Sequence, residues 1–181
     1  MNEETEIDVL LNWKASLQNE TQSPLPSWTL LPNHATNSLS YQNTSSSSSP
    51  CCWFGISCTQ AGSVTTLNLT NSNLKGTLHD FPFSSLPSLA YLDLSMNELF
   101  GIIPPEISHL SKLIYLDLSL NNFSGAIPPQ IGLLINLEIL SLAENQLNSS
   151  IPPEIGQLKS LNALSLYANN LRGSIPASLG N

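Results

Sequence analysis

The sequence predicts an α/β solenoid, in which short parallel strands stack into a concave sheet behind a helical N-terminal cap. Three observations predict it. A pair of leucines recurs every 24 residues from Leu92 and Leu94 onward. An asparagine and an Ile-Pro step recur in the same frame, as Asn97 and residues 103–104. An amphipathic segment precedes the repeats, and repeat stacks need such an element to cover their ends.

The repeats follow one motif without slippage. A leucine pattern L-x-x-L-x-L-x-x-N-x-L at a fixed period of roughly 20 to 29 residues is the leucine-rich repeat, in which each unit contributes one strand and a return path. The first unit is irregular, since it is one residue longer and has Ser72 where the asparagine would stand. We delimit the repeats as residues 64–88, 89–112, 113–136, 137–160 and an incomplete 161–181.

The physics of one repeat explains its residues. Alternation along the strand sends Leu92 and Leu94 inward and Asp93 outward onto the concave sheet. Asn97 then turns the chain inward, where its amide can bond backbone groups that would otherwise be buried without partners. We therefore expect a structural ladder of Asn97, Asn121, Asn145 and Asn169.

Residues 1–63 are predicted to form the cap. Over residues 5–18 the apolar residues stand at helical spacing, which predicts a short amphipathic helix lying across the first repeat. These residues are Ile7, Leu10, Leu11 and Leu17, with Trp13 alongside. Residues 21–50 are rich in Ser, Pro and Asn, and we interpret them as a mobile loop with Trp28 as its only anchor.

Charge excludes several classes of partner. The 181 residues have a formal net charge of −8 and only five Lys and Arg residues. Phosphate-backbone binding relies on Lys and Arg, so nucleic acid is not an expected partner. The same charge would repel anionic lipid head groups, and no apolar run approaches the roughly 18 residues that span a bilayer. We expect no direct membrane contact by this segment.

Catalytic and cofactor sites are not expected. Asp93 and Asp117 hold the same outward position in adjacent repeats, about 5 Å apart, a range at which carboxylate pairs can hydrolyse glycosides. The position changes to serine in the next two repeats, however, and no walled pocket is predicted that would raise one pKa. No His, Cys and carboxylate cluster has metal-ligand spacing. We therefore predict no enzyme activity, no metal and no cofactor.

The outward strand positions form a strip that predicts ligand binding. Stacking turns single residues into a continuous concave surface. The candidate ligand-binding residues are Tyr91, Asp93, Tyr115, Asp117, Ile139, Ser141 and Tyr167. Tyrosines with carboxylates suit an extended peptide with a basic residue. The alternative is that these repeats are only structural and that the ligand binds further repeats.

Several motifs resemble one family. They are the cap sequence LLNWKASL over residues 10–17, CCWFGISC over residues 51–58, and L-x-G-x-I-P over residues 99–104. The chain resembles the plant leucine-rich-repeat receptor-like kinases over nearly its whole length. The stretch LKGTLHDFPFSSLP at residues 74–87 is similar to those that perceive serine-rich endogenous peptides.

The resemblance implies a right-handed superhelix that recognises a peptide or protein outside the cell, with a leucine-rich-repeat co-receptor as a further partner. It also implies a signal peptide before residue 1. Residues 1–6 themselves are acidic and polar and do not have the pattern of a signal peptide. Further repeats, a membrane helix and a Ser/Thr kinase domain are implied after residue 181. The alternatives are a secreted inhibitor of the polygalacturonase-inhibitor kind and a short co-receptor ectodomain.

Cysteines and glycosylation sequons support an extracellular, apoplastic location. The resemblance implies a Cys51–Cys58 disulfide with Cys52 left over, and the pairing of Cys52 with Cys58 is the alternative. Either disulfide requires an oxidising compartment. Five asparagines stand in N-x-S/T sequons, and we expect Asn43 and Asn148 to be the ones used. The complete set is Asn19, Asn43, Asn68, Asn122 and Asn148.

Overall fold

The structure, a computed structural model, describes residues 5–18, 24–30 and 49–180. These residues form one α-helix, ten strands and a series of short 3₁₀ helices. The helix and strands are α1 (Glu6–Ser16), β1 (Ile56–Cys58), β2 (Val64–Asn68), β3 (Lys75–Gly76), β4 (Tyr91–Asp93), β5 (Glu98–Gly101), β6 (Tyr115–Asp117), β7 (Asn122–Gly125), β8 (Ile139–Ser141), β9 (Gln146–Leu147) and β10 (Ala163–Ser165). The predicted solenoid with its N-terminal cap is confirmed.

The concave sheet has the strand order β1-β2-β4-β6-β8-β10. From β2 onward all pairs are parallel and in the register of the repeat, so that Leu92 stands between Leu67 and Leu116. The first pair differs from the prediction of a wholly parallel sheet, because β1 runs antiparallel to β2. A short loop joins β1 directly to β2, and such a connection permits only antiparallel pairing.

A second sheet, which the sequence analysis missed, runs along one side of the solenoid with the order β3-β5-β7-β9. Its strands are two to four residues long, and each follows the ladder position of its repeat, which is Ser72 before β3 and an asparagine before the others. We call this side the second-sheet side. Opposite the concave sheet, 3₁₀ helices at Pro105–His109, Pro129–Leu133 and Pro153–Gln157 form the convex side. Each begins with a proline, whose missing N–H costs no bond at that position.

The asparagine ladder satisfies the buried backbone at the end of each concave strand. The Asn121 amide donates to the carbonyl oxygens of Leu94 at 2.9 Å, Leu118 at 3.2 Å and Ser119 at 3.1 Å. Its Oδ1 accepts from the N–H of Leu99 at 3.0 Å. Two of these partners lie in the same repeat and two in the preceding one. The asparagine therefore joins adjacent repeats as well as closing its own turn.

The cap rests on a chain of aromatic contacts. Trp13 of α1 packs edge-on against Phe81 with ring centroids 4.9 Å apart, and Trp28 stacks on Trp53 at 5.4 Å. The indole of Trp28 also donates to the carbonyl of Phe54 at 2.9 Å. The prediction that Trp28 alone anchors this segment is wrong, because Leu25 is fully buried as well. The remainder of the predicted mobile loop lies largely outside the described residues.

The end of α1 contacts the second sheet at Gly76. The N–H of Gln18 donates to the carbonyl of Lys75 at 2.7 Å, which brings the cap backbone against β3. Gly76 has φ +150°, and a Cβ there would lie 3.0 Å from Leu17 Cδ2. Glycine is therefore required at this close approach. In the described part of the chain, no helical segment has the length and hydropathy that a bilayer span requires.

The structure contains the Cys51–Cys58 disulfide, with a Cα–Cα distance of 5.5 Å, while Cys52 is an exposed free thiol. The Cys52–Cys58 alternative is therefore not the pairing in this structure. The bond joins the 3₁₀ helix at Pro50–Cys52 to β1, the first strand of the concave sheet. It thus closes a short loop within the cap, next to the strand by which the cap joins the concave sheet.

Replacing Asn121 with alanine should lower the free energy of unfolding by about 3 to 5 kcal/mol, because buried backbone donors and acceptors lose their partners together. Urea unfolding would measure it. The control is Asn122→Ala at the exposed neighbouring position, for which we expect a change below about 0.5 kcal/mol. Equal effects of the two substitutions would contradict the structural role of the ladder.

Replacing Cys51 with serine should lower the free energy of unfolding by about 2 to 3 kcal/mol. The reason is that the unfolded chain regains the conformational entropy that the short disulfide loop had removed. Cys52→Ser should leave both the stability and the disulfide unchanged. Peptide mapping of the wild-type protein under non-reducing conditions identifies the bond directly. A Cys52–Cys58 peptide as the main species would refute the assignment.

Candidate ligand-binding surface

Two tyrosines form the centre of the concave surface. The rings of Tyr91 in β4 and Tyr115 in β6 are stacked, with centroids 4.1 Å apart and planes 6° apart. Parallel pairing in register places them side by side. Burial raises the pKa of Tyr115, and a hydrogen bond with Tyr91 and the negative charge of Asp117 raise it further. The pair is therefore a partly exposed aromatic platform, and its raised pKa keeps Tyr115 uncharged at physiological pH.

The two carboxylates beside this platform are held by serines of their own repeats. Asp93 Oδ1 accepts from the N–H and the hydroxyl of Ser95 at 3.0 and 2.7 Å. Asp117 accepts from Ser119 in the same way, at 2.8 and 2.6 Å. The hydroxyl of each neighbouring tyrosine approaches the second carboxylate oxygen, at 3.5 Å in one repeat and 3.4 Å in the other.

Asp93 lies on the concave sheet, but it is less accessible than its outward position suggests, because its exposed fraction is only 7%. Asp117 is half-buried and therefore more accessible. The reason is local, since aspartate side chains readily bond the backbone two residues further on. The role of Ser95 and Ser119 was missed, although the signal was present in the sequence: YLDLS occurs identically at residues 91–95 and 115–119.

The other candidate residues lie further along the same face. Ile139 and Ser141 of β8 stand in register beside Tyr115 and Asp117. Tyr167 is 65% exposed, and its hydroxyl donates to Glu144 Oε1 at 3.1 Å across adjacent repeats. This contact with Glu144 raises the pKa of Tyr167. The structure thus brings the predicted residues onto one continuous surface.

A row of residues in left-handed backbone conformation borders this surface. Met96 has φ +58° and Leu120 has φ +54°, and their side chains are 50% and 41% exposed. Glu144 follows in the next repeat with φ +52°. The sequence analysis assigned no role to this row. In the second and third repeats it adds an apolar margin to the aromatic platform and the carboxylates.

Comparisons with known proteins identify the family. The leucine rich repeat family matches residues 62–123, and single repeats match 136–158 and 160–181. The BIR2 ectodomain from Arabidopsis thaliana has a solved structure with TM-score 0.82 and 32% identity, covering 99% of this chain and 88% of that one. The chain belongs to the leucine-rich-repeat receptor ectodomains of plants. An ectodomain of this kind is an extracellular binding module.

Two further relatives of this leucine-rich-repeat ectodomain are longer. A probable leucine-rich repeat receptor-like protein kinase of Arabidopsis thaliana, At1g35710, is 48% identical over 104 residues, which are 58% of this chain and 8% of that protein. The Arabidopsis receptor kinase HAESA, solved with the peptide hormone IDA and the co-receptor SERK1, has TM-score 0.67 and 29% identity, covering 96% of this chain and 31% of that one. These relatives do not favour the inhibitor interpretation. The narrower resemblance to receptors of serine-rich endogenous peptides stays a prediction.

The sequons of the ectodomain fall on different surfaces. Asn122 and Asn148 are exposed on the second-sheet side, whereas Asn68 is exposed on the concave sheet beside Asp93. Asn19 and Asn43 lie outside the described residues. Glycosylation of these asparagines stays a prediction. Within the described part of the chain no group of His, Cys, Asp and Glu could hold a metal ion.

Because the pKa of Tyr115 is raised in the folded state, the free energy of unfolding should fall as the pH rises above about 10, where the unfolded chain loses this proton and the folded chain keeps it. Alkaline absorbance titration should show two of the four tyrosines ionising late, Tyr115 and Tyr167. Tyr115→Phe should remove the contribution of Tyr115 and leave that of Tyr167. If the late part of the titration curve were the same in the wild-type protein and in the Tyr115→Phe variant, the raised pKa of Tyr115 would be contradicted.

Proposed function

We propose that this chain perceives an extracellular peptide on its concave surface, as the N-terminal part of a plant receptor kinase ectodomain. The ligand contacts the platform of Tyr91 and Tyr115 and presents a basic side chain to Asp93 and Asp117. The full receptor is anchored in the plasma membrane and faces the apoplast, and its kinase activity belongs to another domain. A co-receptor ectodomain with leucine-rich repeats is the further partner.

The observation that carries this proposal is the pair of carboxylates without a cation. Asp93 and Asp117 stand in direct register on adjacent strands, an arrangement in which like charges repel and destabilise a sheet. Among the described residues no Lys, Arg or His forms an ion pair with either one. Their serine partners orient the carboxylates and leave the charge uncompensated. A cationic ligand group would relieve this repulsion.

The surroundings suit a peptide better than a small ion. The stacked tyrosines offer aromatic area at low conformational cost, and tyrosine is enriched where proteins bind proteins. Met96 and Leu120 add exposed apolar side chains at the margin. A basic residue flanked by apolar ones therefore matches the sequence of contacts across the strands. The HAESA complex with a peptide hormone and a co-receptor is a precedent for both classes of partner.

The test removes charge but keeps the local hydrogen bonds. In the double variant Asp93→Asn and Asp117→Asn, the amide oxygen can still accept from Ser95 and Ser119. We expect affinity for synthetic peptides with a central arginine to fall about tenfold, which corresponds to ~1.4 kcal/mol. Matched peptides with citrulline, the uncharged isostere of arginine, should bind equally to both proteins. Calorimetry or fluorescence anisotropy would measure these affinities.

The control removes two charges away from the concave sheet, by Asp80→Asn and Glu106→Gln at exposed positions. This control variant should bind the arginine peptides as the wild-type protein does. Equal losses of affinity in the two double variants would mean that the effect comes from long-range electrostatics and not from a contact with Asp93 and Asp117. If arginine and citrulline peptides bound alike to the wild-type protein, the proposed recognition of a basic residue would be wrong.

A further inference from the structure

The glycosylation sequon at Asn68 lies in the ligand-binding surface proposed above. Asn68 is exposed at the end of β2, and it stands in register beside Asp93 on the neighbouring strand. Asp93 is in turn in register with Asp117. Neighbouring strands are about 4.8 Å apart, so the Asn68 backbone lies roughly 5 Å from that of Asp93 and roughly 10 Å from that of Asp117. A sugar on Asn68 therefore emerges from the same row as the two carboxylates.

The hydrogen bonds of Asn68 leave its amide nitrogen available. Its Oδ1 accepts from the N–H of Thr70 at 3.2 Å, and its backbone N–H donates to the Gly55 carbonyl at 2.7 Å. Because the Thr70 N–H requires an acceptor, this bond fixes which end of the amide is the oxygen. In the described part of the chain no acceptor bonds the Nδ2, which is the atom that carries an N-linked sugar.

The aromatic platform turns one face toward this sequon. Tyr91 uses one side of its ring to stack on Tyr115, with the two planes 6° apart. The other side of the ring faces β2, where Thr66 is the partner of Tyr91 in register. Thr66 is far smaller than a tyrosine ring, and it lies two residues before Asn68 on the same face of the strand. Sugar rings pack well on such a face, because their C–H groups meet the negative side of the π system.

We propose that Asn68 is an N-glycosylation site whose sugar packs on the free side of Tyr91. The sugar then forms the N-terminal boundary of the ligand-binding surface. A peptide bound at Asp93 and Asp117 extends from there toward the third and fourth repeats. This inference rests on the proposed function, because only a chain that enters the secretory pathway meets the oligosaccharide donor.

The modification is a transfer from an oligosaccharide linked to a lipid diphosphate. The Nδ2 of Asn68 attacks C1 of the first sugar, and the C1–N bond forms as the C1–O bond to the diphosphate breaks. The nitrogen loses one proton, and the lipid diphosphate leaves. The attached sugar is bulky and needs a surface position, which the exposed Asn68 provides. The core sugars are neutral, so their effect on a cationic ligand is steric.

Asn122 offers a matched control. It is also an exposed sequon asparagine, but it lies in β7 on the second-sheet side, away from the concave surface. Its Oδ1 accepts from Gln146 Nε2 at 3.2 Å, and in the described part of the chain its Nδ2 has no partner either. Asn122→Gln therefore removes a comparable sequon without changing the ligand-binding surface.

The first test does not use a ligand. Peptide mapping of the 181-residue protein, secreted from plant or insect cells, should find a sugar on Asn68. In hydroxyl-radical footprinting, Tyr91 should be oxidised more slowly in this protein than in the Asn68→Gln variant, because the sugar covers the ring. Tyr167, which is 65% exposed, should react equally in both. An unmodified Asn68, or equal reactivity of Tyr91 in the two proteins, would overturn the inference.

The boundary is tested with three synthetic peptides, which have arginine at the centre or at either end. A central arginine needs room on both sides of the carboxylates. The secreted Asn68→Gln protein should therefore bind that peptide about tenfold more tightly than the secreted wild-type protein, a difference of ~1.4 kcal/mol. One of the two peptides with a terminal arginine should bind both proteins equally, since it extends only away from the sugar. Asn122→Gln should bind all three peptides as the wild-type protein does.

Unglycosylated protein separates the effect of the sugar from that of the side chain. Protein folded in the bacterial periplasm lacks the sugar, and there Asn68→Gln should leave the affinity for all three peptides unchanged. A change there, or no gain for the central-arginine peptide in the secreted protein, would overturn the boundary. If no form of the protein bound an arginine peptide, the proposed function would be wrong, and mapping and footprinting would still decide whether the sugar is present and covers Tyr91.

Discussion

The bonding of each ladder asparagine to the repeat before it determines how the whole solenoid is built. Asn97 accepts from Leu74 N–H and donates to the Leu69 carbonyl, both in the first repeat. Asn145 makes the same bonds to Phe123 and Leu118 of the third. The buried backbone of a repeat is therefore satisfied by the repeat that follows it. Because an unpaired buried group costs about 1 to 3 kcal/mol, the repeats depend on one another in one direction.

This direction of dependence explains why the first repeat lacks an asparagine. At Ser72 an asparagine would have no preceding repeat to bond, since the cap occupies that side. The serine hydroxyl instead donates to the Thr70 carbonyl of its own turn at 3.3 Å, and its N–H donates to Asn97 Oδ1 at 3.0 Å. The departure from the motif is thus a consequence of position in the stack.

The same inward turn frees one position per repeat for function. To bring the asparagine under the strand, the residue before it adopts a left-handed conformation, which costs an ordinary side chain about 1 kcal/mol or more. Asparagine meets this need in the first repeat as Asn71, but the later ones have Met96, Leu120, Glu144 and Ala168. The backbone is held by bonds to the next repeat, such as Met96 N–H to the Ser119 carbonyl at 3.0 Å. The fold therefore does not require a particular side chain at this position, which leaves it available for contacts with a ligand.

The features that could be predicted from the sequence are those whose interactions recur in every repeat. The leucine period fixed the strand positions and the register, because a slip would expose a whole apolar edge. The second sheet was missed since β3 and β9 are only two residues long and their pairing depends on the neighbouring repeats. The burial of Asp93 was missed because alternation specifies the face of a residue but not what its side chain bonds. Leu25 was missed because it stands alone in a polar segment without periodicity.

Prediction from the sequence is weakest for residues that occur in only one or two of the repeats. Every repeat has the leucines and the asparagine or its substitute, so they identify the fold and leave function open. Tyr91 and Tyr115, with their aspartates, occur in only the second and third repeats, and so do the apolar residues of the margin. The proposed ligand contacts of this ectodomain therefore lie at residues that depart from the period.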